Sequence, residues 1–167
     1  MALTTTIQML LESTLTSPLD LSTPSDPLIY TKRYQWSSGT GASQADLRWH
    51  DQRTLTASAT EDIDLAGVLS SAFGATLTYA RLKGLLIVAA AGNTNNVNVT
   101  RPASNGVPIF LAASDGIPVL PGATFAWFSP NATGIAVTAG TGNLITITNS
   151  AGSTSVTYDI VVIGASA

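Results

Sequence analysis

An all-β fold is predicted for this chain of 167 residues: a two-layer antiparallel β-sandwich of jelly-roll type with an extended N-terminal arm. Apolar residues alternate with polar ones at a period of two, the mark of strands with one buried face. Turn residues such as Asn105-Gly106, Asp115-Gly116, Pro121-Gly122 and Gly140-Thr141-Gly142-Asn143 punctuate these runs at the spacing of sandwiches and barrels. The length suits one domain with an ordinary core.

Residues 1–28 form the expected arm or linker, and residues 29–167 the sandwich. The arm carries an apolar patch, Ile7, Met9, Leu10 and Leu11, followed by Ser/Thr-rich sequence with Pro18, Pro24 and Pro27. Three prolines argue for an extended segment more than for an interior strand. Such a patch needs a surface to lie against, in its own domain or in a neighbouring subunit.

The first strand is expected around Tyr30, Lys32, Tyr34 and Trp36, which share one side, and the next around Ala45, Leu47 and Trp49. Ser37 to Ser43 reads as a flexible polar connection between neighbouring strands. Leu77 to Ala90 reads as a central strand apolar on both faces past Gly84, its opening end kept in water by Arg81 and Lys83. Further strands are expected at Val107 to Ala112, Thr124 to Phe128, Gly134 to Thr138, Asn143 to Thr148 and Val156 to Val162. Asp64 to Phe73 has a helical spacing, Leu65, Leu69 and Phe73, stopped by Gly74. A strand ending near Leu65 and followed by a short helical turn is the preferred reading.

Composition limits the partners. Only 10% of residues are charged against 45% hydrophobic, so part of the exterior is expected to be covered by partners. A monomer coated with Thr, Ser and Asn is the competing reading. The net charge of −3 and the scattered seven cations exclude a basic stripe for nucleic acid. No cysteine is present, which removes disulfides, thiolate metal sites and cysteine nucleophiles together. The apolar run Leu85 to Ala91 is too short to cross a bilayer and the N-terminus lacks a signal pattern, so neither membrane nor anchor is expected.

Catalytic chemistry finds little footing. His50 is the lone histidine, with Asp46 and Asp51 as possible orienters, but no serine lies in a nucleophile elbow. Glu61, Asp62 and Asp64 complete no calcium loop and read as a solvated acidic turn or as partners of Arg81 or Lys83. Trp36, Trp49 and Trp127 read as packing residues more than as sugar platforms. No enzyme, cofactor or metal is expected.

The stretches Asp51-Gln52-Arg53-Thr54-Leu55, Asp64-Leu65-Ala66-Gly67, Ala72-Phe73-Gly74-Ala75-Thr76, Tyr79 to Leu85 and Val156 to Gly164 resemble small virion structural proteins of tailed bacteriophages, head decoration or cement proteins in particular. That resemblance implies a homotrimer on the outer capsid surface, bound across subunits of the major capsid (coat) protein and stabilising the head. A tail or fibre component recognising a host-surface glycan is the alternative. The expected interface comprises Ile7, Met9, Leu10 and Leu11 of the arm with the aromatic Tyr34, Trp36 and Trp49.

Overall fold

The computed structural model describes residues 2–167, and the chain is all-β throughout them. It opens with a long hairpin, β1 (Thr5–Thr16) and β2 (Ser25–Trp36), which belongs to neither layer of the sandwich. One layer holds β3 (Leu47–Leu55), β7 (Arg81–Ala89), β10 (Thr124–Phe128) and β13 (Val156–Ala165) in the order β10-β7-β13-β3, with β11 (Ile135–Ala136) added beside β7. The other holds β4 (Thr60–Asp64), β8 (Val97–Thr100), β9 (Gly116–Val119) and β12 (Leu144–Asn149) in the order β4-β12-β8-β9. A small hairpin, β5 (Ala66–Ser70) with β6 (Thr76–Thr78), hangs beside β3. Every named strand pair is antiparallel.

Alternation decides which side chains meet between the layers. Val156, Tyr158, Ile160 and Val162 of β13, with Leu85, Ile87 and Ala89 of β7, face Ile145 and Ile147 of β12 and Val97 and Val99 of β8 in one buried cluster. Trp49 and Leu55 close it on the β3 side and Ile63 on the β4 side. Each fully buried Val, Leu or Ile contributes about 1.5–3 kcal/mol relative to exposure, so this cluster is the main source of stability.

Two expected elements are replaced by other structures for physical reasons. Between Asp64 and Phe73 there is no helix, and no helical turn follows the strand: Gly67 sits at φ 98° and Gly74 at φ 79°, conformations that a right-handed helix cannot contain. Val107 to Ala112 is a compact loop instead of a strand. Its carbonyls at Phe110 and Leu111 are taken by the Arg101 guanidinium and the Ala112 amide by Asp115, so side chains replace a ladder. Val107 is still buried in the core.

The expected arm is itself a paired ribbon, and it runs to Trp36, past the predicted boundary at residue 28. Pro27 fits because a two-stranded ribbon consists of edges, where a missing N–H is tolerated. Consequently β2 pairs with β1 and not with the strand that follows it; the intervening loop is crossed by an isolated bridge from Ser37 to Gln44 and a bond from the Gly39 amide to the Ala45 carbonyl.

Candidate functional site

The direct pairing of β1 with β2 sorts the arm into two faces. One carries Ile7, Met9, Leu11 and Leu15 with Leu28, Tyr30, Tyr34 and Trp36, interrupted by Lys32, Asp26, Thr5 and Ser13. The opposite face carries Gln8, Glu12, Thr14, Thr31, Arg33 and Gln35, with Leu10 and Ile29 among them. Twelve residues at about 3.4 Å each make a ribbon roughly 40 Å long.

The base of the apolar face is covered by its own chain. Trp36, Ala45 and Ile163 form a second buried cluster against Ile7, Tyr34, Phe128 and Val161, on the outer side of the β13 layer. The distal half is uncovered: its large side chains on this face range from 42% exposed at Met9 to 73% at Leu15. An isolated hairpin of this kind is marginally stable in water.

A built hinge joins arm to sandwich. Register slips between Ile163 and Gly164, so that Ile163 lies opposite Gly84 while Gly164 lies opposite Leu82, and Lys83 is the unpaired residue of a β-bulge. The sequence pattern places Lys83 in water beside Arg81; the bulge instead takes it off the inward face of Leu85, Ile87 and Ala89 and leaves it 1% exposed beneath the Ser37 to Ser43 connection. Its ammonium donates to the carbonyls of Thr40 (3.2 Å), Gly41 (2.5 Å) and Gln44 (2.8 Å). Arg81 adds a donation to Thr40 and another to Ala132. The Ser37 to Ser43 connection is therefore pinned, and across it the Ala45 amide donates to the Ser37 carbonyl while the Ser37 amide donates to the Ser43 carbonyl. Burial, followed by repulsion from Arg81, lowers the Lys83 pKa below the ordinary lysine value.

Between the layers lies a polar clasp. Arg53 of β3 donates through Nε to Glu61 of β4 (2.7 Å) and through Nη1 to Asp51 (3.1 Å), and the buried Tyr158 hydroxyl donates to Glu61 (2.5 Å). Glu61 thus pairs with Arg53, where Arg81 or Lys83 had been expected. Asp62 accepts from the Thr146 hydroxyl, while Asp64 accepts from the Ala66 amide and the Asn143 side chain. The three acids are spread along a strand and do not form a solvated turn.

Burial pushes the phenols of Tyr79 and Tyr158 well above the ordinary tyrosine range, for Tyr158 with the Glu61 hydrogen bond as a second cause. A phenol raised on folding contributes stability that is complete below its unfolded pKa of about 10 and lost above it, at about 1.4 kcal/mol per pH unit per group. Lys83 has the opposite sign: its lowered pKa means that its desolvation penalty eases as pH rises, until about 10.5, where the unfolded lysine also loses its proton. Alkaline unfolding is accordingly expected to set in above pH ~10, with a slope approaching 3 kcal/mol per unit from the two tyrosines. Circular dichroism against pH checks it; Tyr79→Phe and Tyr158→Phe should each make the loss shallower.

At the other end of the sandwich, Asn95 donates to Asn149 and to the carbonyls of Ala151 and Thr154, and Asn149 donates to Thr56 and Thr154. Asn93 exchanges two bonds with the Thr157 backbone, copying a ladder pair. These amides hold loops closed.

A cleft of about 760 Å³ opens between the exposed edge of β3, the β5–β6 hairpin and residues 2–4, with His50 and the 79% exposed Phe73 on its walls. Its carboxylates are engaged elsewhere: Asp46 accepts from the Ser166 amide and hydroxyl, and Asp51 from Gln52 and Arg53. Ser71 Oγ accepts from the amides of Phe73 and Ala75, closing the hairpin turn. No histidine, serine and carboxylate are linked here in a relay. Among the described residues, no group of three or more His, Asp or Glu side chains is placed to hold a metal ion, and no helix is long and apolar enough to cross a membrane.

No protein family, characterised protein or solved structure matches this chain. Its function has to be read from its own geometry. Of the seven expected interface residues, Met9, Leu10 and Leu11 are exposed, with Leu10 on the polar face; Ile7 and Tyr34 are half-buried at the arm's base. Trp36 and Trp49 are buried inside their own chain, offering little surface to a partner and no face on which a sugar could stack. Leu15, Leu28 and Tyr30 complete the exposed apolar face. The signal for them lay in the cross-strand register, which a single strand's pattern does not contain.

Proposed function

We propose that this chain is a structural, non-catalytic virion part, a head decoration protein of tailed-bacteriophage type that self-associates on the outer capsid and clamps neighbouring coat subunits. The observation that carries the reading is the arm: a 40 Å ribbon, pinned at its base, whose distal apolar face is bare in the isolated chain. Exposed apolar surface of that extent marks an interaction site. The scarcity of charge, 10% of residues, suits a protein that spends its life covered. In the cleft beside β3, Asp51 is engaged in ion pairing and Ser71 in turn closure, which favours a mechanical role over a chemical one.

The test is a shortened arm in the full chain. Gln8 and Arg33 are direct cross-strand partners, so replacing Met9 to Lys32 by Asn-Gly closes the ribbon with a two-residue turn and leaves its packed base intact. Wild-type chain, labelled in electron micrographs of particles, is expected over the head surface, and the shortened chain is expected to be missing from it. Label confined to tails, or undiminished head labelling by the shortened chain, would overturn the proposal.

A further inference from the structure

We infer that the distal face of the arm is covered by the same face of a second copy of this chain, the two ribbons packed antiparallel about a two-fold axis. This deepens the reading of the arm as the assembling element and rests on it, with a two-fold pair in place of the homotrimer that the resemblance implies. The apolar face divides at Met9: below it Ile7, Tyr34 and Trp36 are packed on their own sheet, and above it the face is bare up to Leu15 and Asp26. That bare segment has a self-complementary layout. Its two charged residues, Lys32 and Asp26, are of opposite sign, lie at its opposite ends and belong to the same strand.

Two ribbons stacked face to face can run parallel or antiparallel. With the axis along the ribbons, β2 of one copy lies over β1 of the other, and Lys32 meets Met9 while Asp26 meets Leu15. Both charges are then stranded on apolar side chains. With the axis across the ribbons, midway between the Leu11/Tyr30 and Ser13/Leu28 pairs, β2 lies over β2. Each Lys32 now meets Asp26 of the other copy, twice by symmetry, while Tyr30 packs on Leu28 and Met9 on Leu15. An isologous contact needs such reciprocity. Only the antiparallel arrangement satisfies both charges.

The bare area reaches the threshold for a specific pair. Met9, Leu11, Leu15, Leu28 and Tyr30 leave roughly 500 Å² bare per arm, so pairing removes about 1,000 Å² in all, the lower bound for a specific interface. Beyond the overlap, the ribbon tip carries the exposed Leu19 and Leu21, outside the paired face.

Charge reversal tests the arrangement with purified full-length chain and no coat protein, so that failure here is distinct from failure of the capsid reading. Sedimentation equilibrium is expected to give a dimer of the 17.1 kDa chain. Asp26→Lys and Lys32→Asp alone each place like charges in opposition and should weaken the dimer about tenfold; together they exchange the charges and should restore it. A monomer at all concentrations, a trimer as the smallest assembly, or a double variant no tighter than the single ones would overturn the pairing. The chain shortened between Gln8 and Arg33 should be monomeric, with the circular dichroism melt of the sandwich retained.

Discussion

Glu61→Ala is expected to destabilise the fold by about 3 kcal/mol, lowering the melting temperature by about 6–12 °C. The Tyr158 hydroxyl is buried among apolar side chains of β13 and β7, and Glu61 is the acceptor it has. Removing that acceptor leaves a buried donor unpaired, which alone costs about 1–3 kcal/mol. Arg53 contributes less: its side chain is 38% exposed, so water and Asp51 take up part of its charge when Glu61 is gone. Glu61→Gln separates the two parts, since the amide oxygen still accepts from Tyr158 while the ion pair is lost; a loss of about 1 kcal/mol is expected. A double-mutant cycle with Tyr158→Phe checks the assignment in thermal melts. If Glu61→Ala costs as much in the Tyr158→Phe background as alone, the phenol is not the group that matters.

The clasp also explains where sequence reading succeeds and where it stops. The runs Val156 to Val162, Asn143 to Thr148 and Thr124 to Phe128 each alternate along one strand, and each folds as β13, β12 and β10. Periodicity is a property of a single strand, and so it was legible. Pairing is not: Arg53 and Glu61 lie on strands of different layers, and Met9 and Lys32 face together only because β1 folds back on β2. Prolines and hydroxyl residues in the first 28 positions imitate a linker because a ribbon with two free edges accepts the same residues. Asn95 imitates an exposed turn residue for a related reason, since an amide that closes a loop from inside has the composition of one that closes it from outside. Among the candidate residues, the arm's apolar patch was visible and so was the strand from Tyr30 to Trp36; that the two pair was not.

Lys83 is the case in which one residue of register changes a function. Unbroken alternation from Leu85, Ile87 and Ala89 would point its side chain into the core; with the bulge opposite Ile163, the ammonium is instead sealed under the loop that carries the arm. Three carbonyls converge on a single cation with no carboxylate bonded to it, an arrangement stable only while the loop keeps its shape. Within that loop Ser43 holds a left-handed φ of 51°, a strain of order 1 kcal/mol that the contacts around it must offset. Lys83→Ala removes the donors and leaves a cavity where the four-carbon stem lay, and a loss of about 3–4 kcal/mol is expected. Lys83→Met keeps most of that volume and also abolishes the desolvation penalty of a buried charge, so about 1–2 kcal/mol should remain, the share of the unpaired carbonyls. The same pair of variants reads out the hinge. Amide exchange at Gly39, Ser43 and Ala45 should accelerate in both, whereas β13 amides should accelerate only as far as global stability falls. Equal acceleration at both places would mean that Lys83 supports the sandwich as a whole and not the base of the arm. A ribbon of 40 Å turns a small rotation at its root into a displacement of many ångströms at its tip, so the bonds that fix Lys83 also set how accurately the arm meets what covers it.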